Sequence, residues 1–245
     1  MLEAFKLSKD LWNTHIKLKE ELISFTKERT GTVLDIDKLI IGFSRRAATY
    51  KRSDLIFSKP EIIEPLLESR KIQIIFSGKA HAMDNGGKEV IANLVAMAKK
   101  YPESIVFLQN YDMTIGKMLT RGSDIWLNNP RRPLEASGTS GMKAAMNGVL
   151  NCSILDGWWA EACIDGINGW QFGNGFESDD ISILDEHDSN ALYDTLLNRV
   201  LPTYYDNKEK WIEMMKESIS TTIEFFSTDR MLMEYYDKLY EHATI

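Results

Sequence analysis

Five short apolar runs constrain this chain more than any other feature: LIIGF (39–43), IQIIF (72–76), IVFLQ (105–109), DIWLN (124–128) and VLNCSIL (149–155). Each has the length of a strand, and none alternates strictly with polar residues, so both faces of each are expected to be buried. Helical patterns such as EVIANLVAMAKKY (89–101) separate them. That succession marks βαβ units and hence a parallel sheet covered on both faces. Sheets of this kind bind ligands beyond the carboxyl ends of their strands, so chemistry is to be sought in the loops after those runs.

The ends of the chain read as helix. Ser8 precedes Leu11, Trp12, Leu18, Leu22 and Phe25, spaced near 3.6 residues, which predicts an amphipathic helix over 8–29 with Gly31 as its stop. Beyond Asp179 no strand is expected. Helices are expected over about 188–201, 205–227 and 229–243, with a break at Leu201-Pro202 between the first two. No repeat, low-complexity tract or linker divides the chain. The expectation is one doubly wound α/β domain over 1–245, with a leading helix (8–29), an α/β core (38–178) and a helical extension (180–245). At 245 residues and 44% apolar content, that core can be filled.

Composition removes several classes. The balance of 29 Lys and Arg against 36 Asp and Glu gives a net charge of -7, which argues against nucleic acid as a partner. No stretch approaches the ~20 apolar residues of a membrane span. The start, MLEAFKLSKDLW, lacks a secretory signal pattern, so no targeting segment is set aside and a cytoplasmic location is expected. Cys152 and Cys163 read as reduced, buried thiols. His15, His187 and His242 show no ligand spacing, so no metal site is expected.

The loop after the first run carries Arg45, Arg46, Lys51 and Arg52, four cations that could meet phosphate oxygens or form a solvated basic turn. Lys79 follows the second run, with His81 read as a local hydrogen-bonding residue, and Tyr111 follows the third. The segment from Arg131 to Gly148 is the most informative. Its small residues from Ala136 to Gly141, followed by KAAM, describe a tight loop opening a helix, where free N–H groups favour an anion. Neither the Walker spacing nor G-x-G-x-x-G is present. Lys143 is placed in the first turn, where the helix dipole would favour a neutral, nucleophilic amine; a surface lysine is the plainer alternative.

The run GSDIWLNNPRRPLEASGTSGMKAAMNGVLNCSILDGWWAEA, with NGWQFG after it, resembles the pyridoxal-phosphate segment of the α-glucan (glycogen, starch, maltodextrin) phosphorylases, especially their short bacterial and archaeal form. FSRRAATYKR, GKA and FLQNYD resemble landmarks of the same family in the same order, from about Leu11 to about Gly173. The resemblance implies a glycosyltransferase-B architecture of two Rossmann-like domains, of which this chain looks like the second. An amino-terminal domain or subunit would then complete the cleft, and the chain by itself would be nearly inactive.

Carried over residue by residue, the resemblance makes Lys143 the lysine that holds pyridoxal 5'-phosphate. It implies that Thr139, Ser140 and Gly141 present donors to the cofactor phosphate, with Arg45 near that phosphate and Tyr111 beside the cofactor. Arg46 and Lys51 would bind inorganic phosphate or the phosphate of glucose 1-phosphate. Glu135, with the N–H groups of Ala136, Ser137 and Gly138, would hold the hydroxyls of the transferred glucose. Two phosphates held close together would form an acid–base pair, with α-glucan as the other substrate.

Long-form phosphorylases carry R-I-H-E-Y-K-R where this chain reads RAATYKR (46–52), and G-T-G-N-M-K where it reads GTSGMK (138–143), which points to the short subgroup. Two other readings share the architecture: a nucleotide-sugar glycosyltransferase of the glycogen synthase kind, and a catalytically silent remnant. Trp158, Trp159 and Glu161 read as a buried aromatic pair with a surface carboxylate, the alternative being substrate-side packing near the cleft. Tyr204, Tyr205, Trp211, Phe225, Phe226, Tyr235 and Tyr236 read mostly as core, in part as an exposed apolar patch.

Overall fold

The computed structural model describes residues 2–241, with side chains described from Ser8 onward. His242 and the end of the expected 229–243 helix lie outside the described residues. The leading helix α1 (Leu2–Thr30) begins before Ser8, which lies inside it rather than at its cap. It stops where expected, with the Gly31 N–H donating to Lys27 O at 2.8 Å.

The five expected strands are present as β1 (Leu39–Ser44), β2 (Ile72–Ser77), β3 (Ile105–Leu108), β4 (Ile125–Asn128) and β5 (Leu150–Ile154). A sixth, β6 (Gly169–Phe172), was not expected, because three residues between two glycines make too short an apolar run to stand out. It forms by pairing with β5, from Asn151 opposite Gly169 to Ile154 opposite Phe172. All pairings are parallel, in the order β3-β2-β1-β4-β5-β6. The order reverses between β1 and β4, where a doubly wound sheet opens a crevice at its carboxyl edge. The fold is α/β and Rossmann-like, as its apolar runs implied.

Between the strands run α2 (Pro60–Glu68), α3 (Asn85–Lys100), α4 (Met113–Gly122), α5 (Thr139–Met146) and the short α6 (Trp159–Ala162). Side chains alternate along β1: Leu39, Ile41 and Phe43 enter one core cluster with Ile63, Val90 and Trp211, while Ile40 enters the other with Leu22, Ile115 and Trp126. This two-sided burial explains why the strands read as continuous apolar runs.

After β6 come α7 (Ile181–Thr195), a π turn over Leu196–Val200, α8 (Leu201–Asp206), α9 (Lys208–Ile223) and α10 (Thr228–Tyr235), which ends in a second π turn over Tyr236–Tyr240. The expected break at Leu201-Pro202 is absent. The π turn re-registers the hydrogen-bond ladder just ahead of Pro202, whose missing N–H falls in the first turn of α8 and breaks nothing. The helix ends instead at Asn207, whose side chain accepts from Lys210 N at 3.1 Å. Trp211 packs in the core with Tyr204 and Tyr205 against it, whereas Phe225, Tyr235 and Tyr236 are exposed, with Leu232 and Met233 beside them on α10.

At the amino edge of the sheet, opposite the crevice, Lys19 of α1 is fully buried. Its ammonium donates to Asp124 Oδ2 at 2.6 Å, to Lys38 O at 2.6 Å and to Tyr204 Oη at 2.8 Å. His15 Nε2 lies 2.8 Å from Asp124 Oδ1. Burial pushes the Asp124 carboxyl up, but the Lys19 charge and the His15 hydrogen bond outweigh it and hold the group below its ordinary value. One carboxylate thus ties α1 to the starts of β1 and β4. Cys152 and Cys163 are free, and burial pushes both thiols up to about 12. No described helix is long and apolar enough to cross a membrane.

Candidate active site

The loop leaving β1 stays paired to the end of β2, with Arg45 N donating to Ser77 O at 3.2 Å and Ala47 N to Lys79 O at 2.9 Å. This holds Arg45 at the reversal point of the strand order. Its guanidinium Nη2 meets Glu135 Oε1 at 2.7 Å, and Lys51 Nζ meets Glu135 Oε2 at 2.8 Å. All three side chains are less than a tenth exposed. Arg45 Nη1 also donates to Asn128 Oδ1, and Asn128 Nδ2 to Ser153 Oγ at 3.0 Å, so the triad is braced by the ends of β4 and β5. Burial opposes the charge on Glu135, but the Lys51 hydrogen bond and the two cations outweigh it and hold its carboxyl below the ordinary range.

Glu135 opens the loop to α5. Gly138 caps that helix with φ of 91°, a left-handed conformation that a residue with a Cβ adopts only at a cost. A Cβ there would stand 3.8 Å from Glu135 Cγ and 3.9 Å from Arg45 Nη2, which places the cap beside the triad. The N–H groups of Ala136, Ser137, Gly138, Thr139 and Ser140 donate to none of the described residues. Five successive unpaired donors at a helix start form a nest for oxygen-rich ligands. The Gly141 N–H is not among them, because Gly138 O accepts it at 3.1 Å.

Lys143 is the fifth residue of α5 and lies in its last turn, not the first. The first-turn placement on which the expected dipole effect rested is therefore not the one it holds. It shares a helix face with Thr139, four residues earlier. The side chain is exposed and donates to none of the described residues.

Arg46 is exposed and lines a cleft of about 430 Å³ together with Ala48, Lys79, Ala80, His81, Asp84 and Tyr111. His81 Nδ1 accepts from Met83 N at 3.2 Å, the local role expected of it. Arg52, the fourth cation of the loop, is buried and committed to structure. It donates to Asn129 O and Pro130 O, each at 2.8 Å, and pairs with Asp185 at 2.9 Å and Asp188 at 2.7 Å. A larger groove of about 780 Å³ runs past Arg52, Arg131 and Asp185, but its principal charges are already paired across it.

The structure thus brings Arg45, Lys51 and Glu135 together beside the 136–140 donors, and sets Arg46 with Tyr111 in the adjoining cleft. Sequence reasoning missed Asn128 and Asp156, which hold this arrangement from the carboxyl ends of β4 and β5; polar residues at strand ends were the available signal. Trp158 and Trp159 are buried with ring centroids 5.1 Å apart, and Glu161 is exposed, as expected.

A model of the carbohydrate phosphorylase family matches residues 2–196. The maltodextrin phosphorylase of Thermococcus litoralis is 45% identical over 96% of this chain and 30% of its own length. The glycogen phosphorylase of Aquifex aeolicus is 43% identical over 94% of this chain and 37% of its own, and that of Mycobacterium tuberculosis 42% identical over 87% and 26%. The chain spans about a third of the length of the curated relatives it matches.

Proposed function

Because the chain belongs to the carbohydrate phosphorylase family, we propose that it is the carboxy-terminal half of an α-1,4-glucan phosphorylase, moving glucosyl units between α-glucan and phosphate with glucose 1-phosphate as the product. An amino-terminal domain or subunit completes the cleft in this reading, which the partial span of the longer relatives supports. The observation that carries it is the run of five unpaired N–H groups from Ala136 to Ser140, set beside two buried cations that share one carboxylate.

Pyridoxal 5'-phosphate fits the residues present. The Lys143 amine is exposed and engaged by no described residue, and the Thr139 and Ser140 N–H groups with Arg45 form a donor set suited to a phosphate. When bound, the cofactor supplies a second phosphate next to the substrate's, with which it can exchange a proton. In this reading the Gly141 N–H closes the turn and leaves the phosphate to its neighbours.

Arg46 and Lys51 bind and orient the reacting phosphate, and their charges offset the negative charge gathered there. Tyr111 lines the cleft that Arg46 borders. Glu135 gives one lone pair of each oxygen to Arg45 or Lys51 and keeps the other for the hydroxyls of a glucosyl unit. Since two cations hold it ionised, it remains an acceptor throughout turnover. The 136–138 N–H groups meet the hydroxyl oxygens from the other side. The test supplies an amino-terminal phosphorylase half to the cofactor-loaded chain, with maltodextrin and inorganic phosphate. Glucose 1-phosphate is the expected product; glucosyl transfer from a nucleotide sugar without phosphate would refute the proposal.

A further inference from the structure

The stretch that carries Glu135 is gripped by Asp156, Gly157 and Trp158, in the turn after β5. Asp156 Oδ2 accepts from Glu135 N at 2.9 Å, and Asp156 Oδ1 accepts from Gly157 N at 2.9 Å. Trp158 N donates to Ser137 O at 2.9 Å. Gly157 lies so close that a Cβ there would stand 2.4 Å from Ser137 O and 3.1 Å from Glu135 O, and its φ of 56° also favours glycine. Asp156 is buried and makes no ion pair among the described residues, so both of its oxygens serve these two backbone donors. Burial pushes its carboxyl above the ordinary range, against the pull of the two backbone N–H groups.

We propose that Asp156 is a positioning residue for glucosyl recognition: its carboxylate fixes the backbone of 135–137, so that the Glu135 side chain and the free N–H groups behind it are held in register for sugar hydroxyls. This rests on reading 135–138 as the sugar-binding stretch. Arg45 and Lys51 hold the carboxylate end of Glu135 and Asp156 holds its backbone end, and only together do they set both position and direction. Asparagine offers a single acceptor oxygen in place of the two that these N–H groups use.

Amide hydrogen exchange and ligand titration of the cofactor-loaded protein test this. In Asp156→Ala, the Glu135 amide is expected to exchange about tenfold faster or more, the consequence of losing one charge-assisted hydrogen bond. The amides of β5 should stay unchanged, showing an intact sheet. Glucose 1-phosphate should bind about tenfold more weakly to Asp156→Ala, while inorganic phosphate changes by less than about threefold. An unchanged Glu135 exchange rate, or equal weakening of both titrants, overturns the proposal. If the wild type shows a protected Glu135 amide but binds neither titrant, the sugar reading fails and the proposal with it, a result distinct from an unprotected amide, which refutes the clamp itself.

Discussion

Lys51 Nζ sits 2.8 Å from Glu135 Oε2, across a gap of 84 positions in sequence. The contact joins the loop after β1 to the loop before α5, and Arg45 completes it on the other oxygen. Lys51→Met leaves a buried carboxylate with one counter-charge. It is expected to lower the unfolding free energy by about 2 kcal/mol, less than the ~3–5 of a fully enclosed pair because the site lies at the sheet edge. Urea denaturation measures it; no change would mean that the pair is solvated in solution.

The same triad sets an acid limit. The native Glu135 pKa lies below the ordinary 4.5, so the native state holds the proton less tightly than the unfolded chain does. Its stabilisation is therefore complete above about pH 4.5 and is lost as pH falls through the lower native value. The stability difference between wild type and Glu135→Gln should be constant from pH 7 to about 5 and shrink below that. A difference that grows on acidification would contradict the depressed pKa.

Lys143→Ala is expected to abolish covalent incorporation of pyridoxal 5'-phosphate with little effect on folding. An exposed Lys→Ala change within a helix alters stability by well under ~1 kcal/mol. Borohydride reduction followed by peptide mapping checks the attachment site. Label recovered on any other lysine refutes the assignment.

Arg46 is exposed and pairs with none of the described residues, so Arg46→Ala should leave the melting temperature within about a degree or two. In the assembled enzyme it should weaken phosphate binding about tenfold or more, the worth of one charge-assisted contact, and glucan binding far less. Separate KM values for phosphate and maltodextrin decide this. Equal losses would place Arg46 outside the phosphate site.

At the opposite edge, Asp124→Ala leaves the Lys19 ammonium buried without its counter-charge. A loss of about 3–5 kcal/mol is expected from equilibrium unfolding. Replacing both partners, Lys19→Met with Asp124→Leu, should cost less than the single change, since no charge is then stranded. A double variant no more stable than Asp124→Ala would show that the pair contributes more than mutual compensation.

Much of this molecule is legible locally. The apolar runs of β1 to β5 declare buried parallel strands because both faces of each are covered, and the small residues of 136–141 declare a loop opening a helix because little else fits there. β6 escaped notice because it has too few residues to show a pattern and exists by pairing with β5. The break foreseen at Pro202 failed because a π turn two residues earlier absorbs the proline, a register change that composition does not reveal. Lys143 was placed a turn too early because α5 starts at Thr139, and only the backbone of Gly138 sets that start.

The sequence by itself determined five of the six strands, their parallel sense and the donor-rich loop, since each follows from side-chain period, size and backbone freedom within a few residues. Only the tertiary structure decided that Lys51 and Arg45 share Glu135, that Arg52 is a structural staple rather than a fourth phosphate ligand, and that Asp156 stands behind the loop. Those contacts depend on the order in which strand ends are laid side by side. That order comes from the packing of helices on two faces of one sheet, which no local stretch encodes.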